Sequence, residues 1–393
     1  MYDIKVFADT ADGATYSQIY SIAEQAAFRG EKIRIMPDTH AGLGCVVGFT
    51  ATLSDKVIPN VIGVDIGCGM RTVELGERDI PLAALDDFIK KSIPSGSDVR
   101  KLHSGGEIIG KLRCKDALTD MDRLLGSLGT LGGGNHFIEI DADGSGKKYL
   151  VIHTGSRNLG TQVAKIYQRL ATNSCKHISD AERASLIERL KAEGRQADIP
   201  DELMRLTERY AYKTKIPAEL CYLDGADAEN YLHDMRICQL FAEKNRERIA
   251  DEILKFLAIP RAPYFETVHN FIGDDNIIRK GAIPAYEGQR VLIPMNMRDG
   301  CLIAEGKGNP DWNFSAPHGA GRLLSRSEAK QLLTVEEYQK EMEGIYTTTA
   351  NITTLDEAPM AYKPTDEIMR LIEPTVKIVD IIKPIYNFKA SEM

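Results

Sequence analysis

Apolar residues recur along the chain with two spacings, and these spacings predict a mixture of helices and strands. Between residues 16 and 29 an apolar side chain returns every three or four positions, and the pattern stops at Gly30, which predicts a helix closed by a glycine cap. The apolar positions are Ile19, Ile22, Ala23, Ala26 and Ala27. Residues 32–36 then alternate between polar and apolar, which predicts a strand.

The longest helical pattern covers residues 160–257. A capping-box sequence from Ser179 to Glu182 predicts a helix start inside it. Its apolar positions at helical spacing include Tyr231, Met235, Cys238, Phe241, Ile249, Ile253 and Phe256. Because the segment carries no glycine-rich string, we interpret it as a helical insertion that supports the rest of the protein or contacts a large substrate, and we favour the scaffold role.

The C-terminal third returns to β-type patterns. Residues 282–285 and 290–294 are apolar runs between glycine loops, and Thr334 to Glu337 is a second capping-box sequence that predicts a helix. Residues 376–382 are apolar enough to predict a buried strand. Strings rich in candidate site residues run from Met36 to Lys389 without a linker, so we predict one α+β domain over residues 1–393, with a β-sheet core, glycine-rich loops and the helical insertion at 160–257.

Composition narrows the class of protein. An apolar content of 43% and a charged content of 27% are ordinary for a soluble globular chain, and no apolar run approaches the roughly 20 residues that span a bilayer. The N-terminus lacks an export signal pattern, and seven cysteines without framework spacing fit a reducing compartment. We therefore expect a cytoplasmic protein without a membrane segment.

The net charge of −8 argues against a globally basic surface that wraps nucleic acid. Positive charge is instead concentrated in glycine-containing strings at residues 279–281, 305–309 and 318–326. We expect a polyanion to bind there, and Arg157, Lys280 and Arg326 are our candidate contacts for it.

Four strings bring metal-ligating side chains next to glycine or asparagine. They are Asp65-Ile66-Gly67-Cys68-Gly69-Met70, Gly132-Gly133-Gly134-Asn135-His136, Val151-Ile152-His153-Thr154-Gly155-Ser156-Arg157 and Val268-His269-Asn270. A thiolate with imidazoles and one carboxylate suits Zn(II), Mn(II), Fe(II) or Co(II) and is poor for Mg(II) or Ca(II). Five ligands are more than one catalytic metal needs, so a two-metal site sharing the thiolate is plausible.

The alternative for each of these side chains is a structural role, as a hydrogen-bonded core histidine or a small buried cysteine. Their joint placement favours a metal site. Three other histidines, His103, His177 and His233, lack such surroundings, and we predict structural or surface roles for them.

A second chemical string is Ser315-Ala316-Pro317-His318-Gly319-Ala320-Gly321-Arg322. Small residues would let a large group approach the imidazole of His318, and an arginine follows four positions later. A neutral histidine nitrogen can attack phosphorus directly, or act as a general acid or base, and spacing does not separate the two roles. Neither a Walker A string nor a Rossmann fingerprint occurs, so a nucleotide would bind through another arrangement.

With these strings in hand, the sequence resembles the RtcB family of RNA ligases. The match runs from Met36-Pro37-Asp38-Thr39-His40-Ala41-Gly42 to Lys389, and it includes the four ligand strings, the His318 string and Asp356-Glu357-Ala358-Pro359 in family order. The resemblance implies an enzyme that joins an RNA 3′-phosphate or 2′,3′-cyclic phosphate to a 5′-hydroxyl with GTP and Mn(II), in RNA repair or tRNA splicing. It also implies possible help from a small partner protein, archease.

The resemblance also implies roles for particular residues. Cys68 would bridge two manganese ions, one held also by Asp65 and His136 and the other by His153 and His269. His318 would attack the α-phosphate of GTP and hold GMP as a phosphoramidate. Positions matching the family's nucleotide site are Asn135, Glu139, Asn270, Pro294, Asn296, Met297, His318, Gly319, Ala320, Gly321, Arg322, Tyr362 and Lys389.

One string departs from the family pattern. Where the family usually has Pro-Gly-Ser-Met-Gly-Thr, this chain has Pro294-Met295-Asn296-Met297-Arg298-Asp299. Met295 would add bulk where backbone can approach phosphate, while Asn296 could still donate a hydrogen bond. The departure keeps two alternatives open beside ligation: an enzyme that caps 3′-phosphate ends without efficient joining, and a non-catalytic binder of RNA ends.

Overall fold

The computed structural model describes residues 2–176, 178, 180–213 and 215–390. The predictions made for His177 and for the capping-box serine Ser179 therefore lie outside the described residues. Mixed helices and strands in this part of the chain confirm the α+β prediction. The described residues contain no helix that is long and apolar enough to cross a membrane.

Short strands with alternating burial supply the sheets. The strands are β1 (Asp3–Val6), β2 (Lys32–His40), β3 (Val47–Thr52), β4 (Gly69–Gly76), β5 (Phe137–Ala142), β6 (Lys148–Thr154), β7 (Tyr264–Val268), β8 (Phe271–Ile272), β9 (Ile277–Lys280), β10 (Ala282–Pro284), β11 (Arg290–Asn296), β12 (Gly300–Gly306), β13 (Ser315–Pro317), β14 (Tyr346–Thr347) and β15 (Val376–Lys389).

The helices cluster in the middle of the chain and near its end. They are α1 (Gly13–Ala23), α2 (Pro59–Ile62), α3 (Leu82–Ser92), α4 (Gly106–Ile109), α5 (Met121–Gly126), α6 (Arg157–Lys176), α7 (Asp180–Ala192), α8 (Ile199–Lys213), α9 (Gly225–Phe256), α10 (Arg326–Leu332), α11 (Val335–Glu341) and α12 (Thr365–Ile372). The capping box predicted at Thr334 is present at the start of α11.

The largest sheet has the order β11-β12-β15-β5-β6-β4-β7, with antiparallel pairing between these neighbours. Its two end strands come together, since the Leu292 N–H of β11 donates to Thr267 Oγ1 of β7 over 2.9 Å. The curled sheet encloses a cluster of buried side chains. Its members are Met70, Phe137, Tyr149, Val151, Leu292, Cys301, Ile303 and Ile382.

A second sheet, β1-β2-β3-β9-β8, packs its apolar face against α1, α2, α6 and α9. The ribbon β10-β13 follows β9 directly and carries the chain toward His318. Strands of both sheets therefore lead into one region between the two sheets, and the glycine-rich strings lie there.

Two sequence predictions need correction at the level of elements. The first helix ends at Ala23 and a 3₁₀ turn, Ala26–Phe28, precedes Gly30, so the glycine with its φ of +87° ends that turn rather than the helix. An apolar run alone did not distinguish a helix from a helix followed by a turn.

The predicted burial of residues 376–382 is also wrong in part. This segment is the first half of β15, but Val379 is 60% exposed and Ile381 is 37% exposed, while Val376 and Ile382 are buried. The strand pairs with β12 on one side and leaves one face open to solvent. The apolar composition of residues 376–382 suggested that both faces of the strand are buried, whereas the rest of the fold covers only one face.

The segment predicted as a helical insertion at 160–257 consists of α6 to α9 with short connections. The ends of this segment pack directly on the sheets, since α9 contacts β4 and β6 and α6 contacts α2. Its status as an insertion stays a prediction, but α9 forms part of the wall behind the glycine-rich strings.

Candidate metal centre and active-site cavity

Strand pairing explains why distant strings meet. β4 lies between β6 and β7, with Met70 opposite His153 and Gly69 opposite Val268. Cys68 therefore comes just before β4, beside the end of β6 and the residue that follows β7. The His269 N–H donates to the Cys68 carbonyl over 2.8 Å, which fixes this arrangement.

The predicted ligands fall into two groups that share one thiol. Cys68, His153 and His269 offer ligand atoms within 4.8 Å of one another, and so do Asp65, Cys68 and His136. All but Asp65 are buried. Cys68 Sγ lies 3.4 Å from His136 Nε2 and 3.3 Å from His153 Nε2. Ligands at metal bonds of about 2.1 Å in tetrahedral geometry are about 3.4 Å apart, so this spacing fits a shared cation.

A backbone carbonyl sets the tautomer of His153. His153 Nδ1 faces the Asn135 carbonyl at 3.1 Å, whereas His136 Nδ1 lies between the Leu131 carbonyl at 2.9 Å and the donor Nη1 of Arg157 at 3.1 Å. Because a carbonyl only accepts, Nδ1 of His153 carries the proton and its Nε2 presents a lone pair to Cys68. This is the arrangement in which histidine binds metal.

The donor atoms are crowded in a way that a cation would relieve. His136 Nε2 also lies 3.0 Å from Asp65 Oδ2, so two ligand atoms face each other across a gap that a proton or a cation must bridge. His269 Nδ1 is buried without a hydrogen bond from the part of the chain that the structure describes. The residues present therefore fit one or two bound cations.

Burial controls the protonation of these groups. It lowers the pKa of His136, and it lowers the pKa of His153 and His269 well below the usual range, so the imidazoles are neutral. Burial and the Asp65 carboxylate raise the pKa of the Cys68 thiol well above its usual value. A thiolate at Cys68 therefore requires the compensating charge of a cation.

The Asp65 carboxylate is held by the backbone of the string that contains His153. Burial raises its pKa, but the bond with His136 and the charge of Arg157 outweigh burial and hold it at about 2. Its Oδ1 accepts from the Ser156 N–H over 3.0 Å. A Cβ on Gly155 would stand 2.3 Å from the same carboxylate oxygen, which explains why glycine precedes Ser156.

His318 faces this centre from the other sheet. Its ring lies 4.7 Å from the His269 ring, and its Nδ1–H donates to Asp38 Oδ2 over 2.6 Å. The Asp38 side chain is fully buried. Because Asp38 holds the proton on Nδ1, the Nε2 lone pair of His318 is free to act as a nucleophile or base. Sequence analysis did not identify Asp38 as functional, although it stands two residues before His40 in the first matching string.

Glycines keep the surroundings of His318 open. A Cβ on Gly281 would lie 3.3 Å from the imidazole and 2.2 Å from Val47, and a Cβ on Gly321 would lie 2.2 Å from the Asp38 carbonyl oxygen. Both glycines have positive φ, +60° and +76°. Close backbone approach therefore explains Gly281 and Gly321 better than flexibility does.

One carboxylate organises the basic end of the cavity. Glu357 is buried and accepts hydrogen bonds from Tyr362 Oη at 2.6 Å and Arg322 Nη1 at 3.3 Å, and it pairs with Arg326 Nη1 at 2.7 Å and Lys389 Nζ at 2.8 Å. Burial raises its pKa, but Lys389, Arg326 and Arg322 outweigh this and hold it at about 2. Sequence analysis quoted Glu357 within a matching string but assigned it no role.

A cavity of about 360 Å³ joins the metal centre, His318 and the Glu357 cluster. Such a volume is typical of small-molecule sites. Every position expected at the nucleotide lines it: Asn135, Glu139, Asn270, Pro294, Asn296, Met297, His318, Gly319, Ala320, Gly321, Arg322, Tyr362 and Lys389. Of the expected metal ligands, Asp65, Cys68, His153 and His269 line it, and His136 lies behind them.

The three candidate RNA contacts differ in their surroundings. Lys280 lines the cavity but is buried, and its ammonium donates to the carbonyls of Leu43, Cys45 and Asn60. Arg157 lies outside the lining, with Nη1 3.1 Å from His136 Nδ1. These positions do not favour RNA contact by Lys280 or Arg157. Arg326 lines the cavity with its side chain 39% exposed.

The string at 294–299 is a strand end and tight turn. Met295 is a bulged residue of β11 that belongs to a buried apolar cluster and also lines the cavity, so its side chain lies where the sequence suggested added bulk. Asn296 Oδ1 accepts from the N–H groups of Arg298 and Asp299, and its Nδ2 donates to Asp299 over 2.8 Å. The side chain of Asn296 is thus engaged in its own turn.

Comparison with known proteins gives one consistent result. The family model described as "tRNA-splicing ligase RtcB" matches residues 18–117 and 86–390. An RNA-splicing ligase RtcB of Escherichia coli K12 is 27% identical and covers 91% of this chain and 90% of its own length. A tRNA-splicing ligase RtcB of Nanoarchaeum equitans is 28% identical over 90% of this chain and 87% of its own. A Mycobacterium tuberculosis RNA-splicing ligase RtcB is 27% identical over 85% and 90%.

Proposed function

The chain belongs to the RtcB family, and we propose that it is a GTP-dependent ligase that joins an RNA 3′-phosphate or 2′,3′-cyclic phosphate end to a 5′-hydroxyl end. The observation that carries the proposal is the Asp38–His318 pair, which points the Nε2 lone pair of His318 into a cavity beside two groups of metal-ligating side chains. Relatives named RNA-splicing ligases support the substrate class.

In this proposal Asp65, Cys68 and His136 hold one Mn(II) ion, and Cys68, His153 and His269 hold a second. Bound cations supply charge that neutralises phosphate oxygens. The mixed thiolate, imidazole and carboxylate donors also suit zinc, cobalt or iron, so the donor set alone does not select manganese.

His318 is the nucleophile of the first step. Its Nε2 attacks the α-phosphorus of GTP, an N–P bond forms, and the bond from that phosphorus to the bridging oxygen breaks, so that pyrophosphate leaves and GMP remains on His318. Asp38 keeps the proton on Nδ1 and stabilises the positive imidazole that develops. Glu357 holds Arg322 and Lys389 at the cavity. In this proposal Arg322 neutralises phosphate oxygens and Lys389 lies beside the guanine base.

The remaining steps transfer the guanylate. An oxygen of the RNA 3′-phosphate attacks the phosphorus, the N–P bond breaks, and His318 is regenerated. The 3′ end is then a mixed anhydride, so attack by the 5′-hydroxyl oxygen on the RNA phosphorus expels GMP as a good leaving group. A 2′,3′-cyclic phosphate must first be hydrolysed to the 3′-phosphate. We further propose a cytoplasmic role in RNA repair or tRNA splicing, with archease as a possible partner.

The test follows a label on the α-phosphate of GTP from the nucleotide to the protein and then to the RNA. Purified protein with Mn(II) and α-labelled GTP is expected to form an acid-labile protein guanylate, which passes to RNA carrying a 3′-phosphate and yields joined product when a 5′-hydroxyl RNA is added. His318→Ala should form no guanylate, while His233→Ala, a half-buried histidine outside the cavity, should react as the parent protein does. A folded parent protein that forms no guanylate with any of the four metals would overturn the proposal, and preferential labelling by ATP would overturn the choice of base.

One observation favours a second candidate function, a capping enzyme that guanylylates 3′-phosphate ends but joins them poorly. The Asn296 side chain, at a position expected to meet the nucleotide, is engaged within its own turn. Capped 3′ ends that accumulate without joined product in the same assay would support this alternative. RNA binding by a protein that never reacts would leave only the non-catalytic binder.

A further inference from the structure

A third cluster of ligand-type side chains lies inside the curled sheet, below the cavity. Glu139, Asp141 and Cys301 offer ligand atoms within 4.8 Å of one another, and all three are buried. They come from two strands, β5 and β12, that are separated in the sheet by β15. None of the three belongs to the two metal groups around Cys68.

Alternation along β5 places the two carboxylates on the inner face. Phe137 belongs to the buried cluster inside the curled sheet, and residues two and four positions later face the same way. Cys301 is a member of that same apolar cluster. The two acids are therefore surrounded by apolar side chains, where an isolated charge is costly.

Asp141 lacks the partners that a buried carboxylate needs. Its side chain is 0% exposed, and neither oxygen accepts a hydrogen bond from any described residue outside the cluster, where the Cys301 thiol is its neighbour. Within the described part of the chain it also forms no ion pair with lysine or arginine. Burial and the Glu139 carboxylate raise the pKa of Asp141 well above its usual range, which reflects the missing countercharge.

A further buried polar atom, the amide oxygen of Asn387 beside Glu139, also lacks a hydrogen-bond partner within the part of the chain that the structure describes. Asn387 Nδ2 donates to Glu139 Oε1 over 2.6 Å, while the amide oxygen of Asn387 is buried without a partner among the described residues. Natural structures pair nearly all buried polar atoms, so several unpaired oxygens around one point indicate a missing partner. Glu139 lines the cavity, so the cluster adjoins a route from solvent.

We propose that Glu139, Asp141 and Cys301 form a third metal site, which takes a borderline divalent cation such as Zn(II) or Mn(II). Two carboxylates and a thiolate suit such a cation and exclude Ca(II) and Mg(II) as preferred occupants. A proton shared between the two acids, with the Cys301 thiol donating to Asp141, is the competing occupant, but it would leave other carboxylate oxygens of the cluster without a partner. A cation contacts all three donors and ties β5 to β12 across the inside of the sheet.

The proposal is independent of the ligase function and is tested by counting metal. Full-length protein loaded with Zn(II) or Mn(II) and dialysed should retain about three equivalents per chain, and Asp141→Asn and Cys301→Ala should each lose about one. Matched controls are Asp143→Asn, an exposed acid just beyond β5, and Cys175→Ala, a buried thiol elsewhere in the core. Both controls should retain the parent count.

A spectroscopic measurement covers the case in which these variants fail to fold. In a Cys68→Ala background, added Co(II) should still give thiolate-to-metal charge-transfer absorption, because Cys301 remains as a ligand, and Cys68→Ala/Cys301→Ala should lose it. Equal metal counts in folded parent, Asp141→Asn and Cys301→Ala proteins, or a folded Cys68→Ala protein without this absorption, would overturn the third site. Neither result depends on whether His318 accepts GMP.

Discussion

At the scale of single residues, the chemistry of the cavity depends on side chains that do not themselves touch a reacting atom. Asp38 fixes the proton of His318, and the Asn135 carbonyl fixes that of His153. These two imidazoles therefore present an Nε2 lone pair toward the interior. The surroundings thus control the tautomer of these rings as well as the pKa.

Replacing Asp38 by Asn tests this dependence. The amide nitrogen would face Nδ1 of His318 and favour the other tautomer, which removes the lone pair from Nε2. We expect guanylate formation to slow by about 10²–10⁴-fold, with RNA binding retained. Single-turnover labelling with GTP measures the rate, and Asp55→Asn, an exposed acid, serves as control. An unchanged rate in folded Asp38→Asn protein would show that Asp38 does not orient the nucleophile.

Glu357 gives a prediction about stability and pH. Its pKa in the folded protein is about 2, below the ordinary 4.5, so the unfolded chain binds its proton more readily. The stabilisation is complete above about pH 4.5 and is lost as the pH falls toward 2; it is on the order of 3 kcal/mol. Glu357→Gln should show a shallower decline in the free energy of unfolding over this window, as measured by urea denaturation. Parallel pH profiles for the two proteins would contradict the prediction.

At the scale of elements, helix α9 acts as the support of the metal centre. Asn245 Oδ1 accepts from the Gly129 N–H, and its Nδ2 donates to the Gly155 carbonyl. Arg246 is buried, and its Nη1 donates to the carbonyls of Gly67 and Thr154 over 3.0 Å each, while Nη2 pairs with Glu266 over 2.8 Å. One turn of this helix thus holds two of the strings that carry candidate metal ligands, those of Cys68 and His153, and also contacts the loop at Gly129 that leads to a third.

Arg246→Met should remove this support. We expect the free energy of unfolding to fall by about 3–5 kcal/mol, because the change leaves two buried carbonyls without a donor and Glu266 with Arg71 as its remaining ion-pair partner, and we expect weaker metal retention. Arg236→Met on the same helix, with its side chain 59% exposed, should change stability by less than about 0.5 kcal/mol. Chemical denaturation and metal analysis of both variants provide the comparison. Equal stability of the two variants would show that α9 is not needed to hold the strings.

At the scale of the whole molecule, the site is assembled from nearly the full length of the chain. Asp38 lies on β2, near the beginning, and Lys389 ends β15, near the other end. β15 pairs with both β12 and β5 and so occupies an interior position in the large sheet. The C-terminal strand is thus required both for the sheet and for the Glu357 cluster, where Lys389 is a partner.

Truncation after Thr375 tests this requirement. Loss of β15 would expose the edges of β12 and β5 and the apolar interior, so we expect the shortened chain to lack a cooperative unfolding transition and to retain no metal. Circular dichroism during heating and metal analysis measure both. A shortened chain that unfolds cooperatively near the temperature of the full protein would contradict the prediction.

The sequence by itself determined the mixed fold class, the residue types of the candidate metal centre and the positions that line the cavity. It could do so because each string joins a rare ligand or nucleophile to glycines that permit close backbone approach. Element types followed from hydrophobic spacing, which is local, whereas the end of α1 and the exposure of Val379 depend on what packs against them.

Only the tertiary structure decided how these residues are oriented and which others support them. Asp38, Glu357, Asn245 and Arg246 act through contacts between residues far apart in the chain, and nothing in their local strings specifies those contacts. The same holds for Asp141 and Cys301, which meet only because β5 and β12 curl toward each other. Residue type fixes what a side chain can do, and its neighbours in the folded chain fix which proton or lone pair it presents.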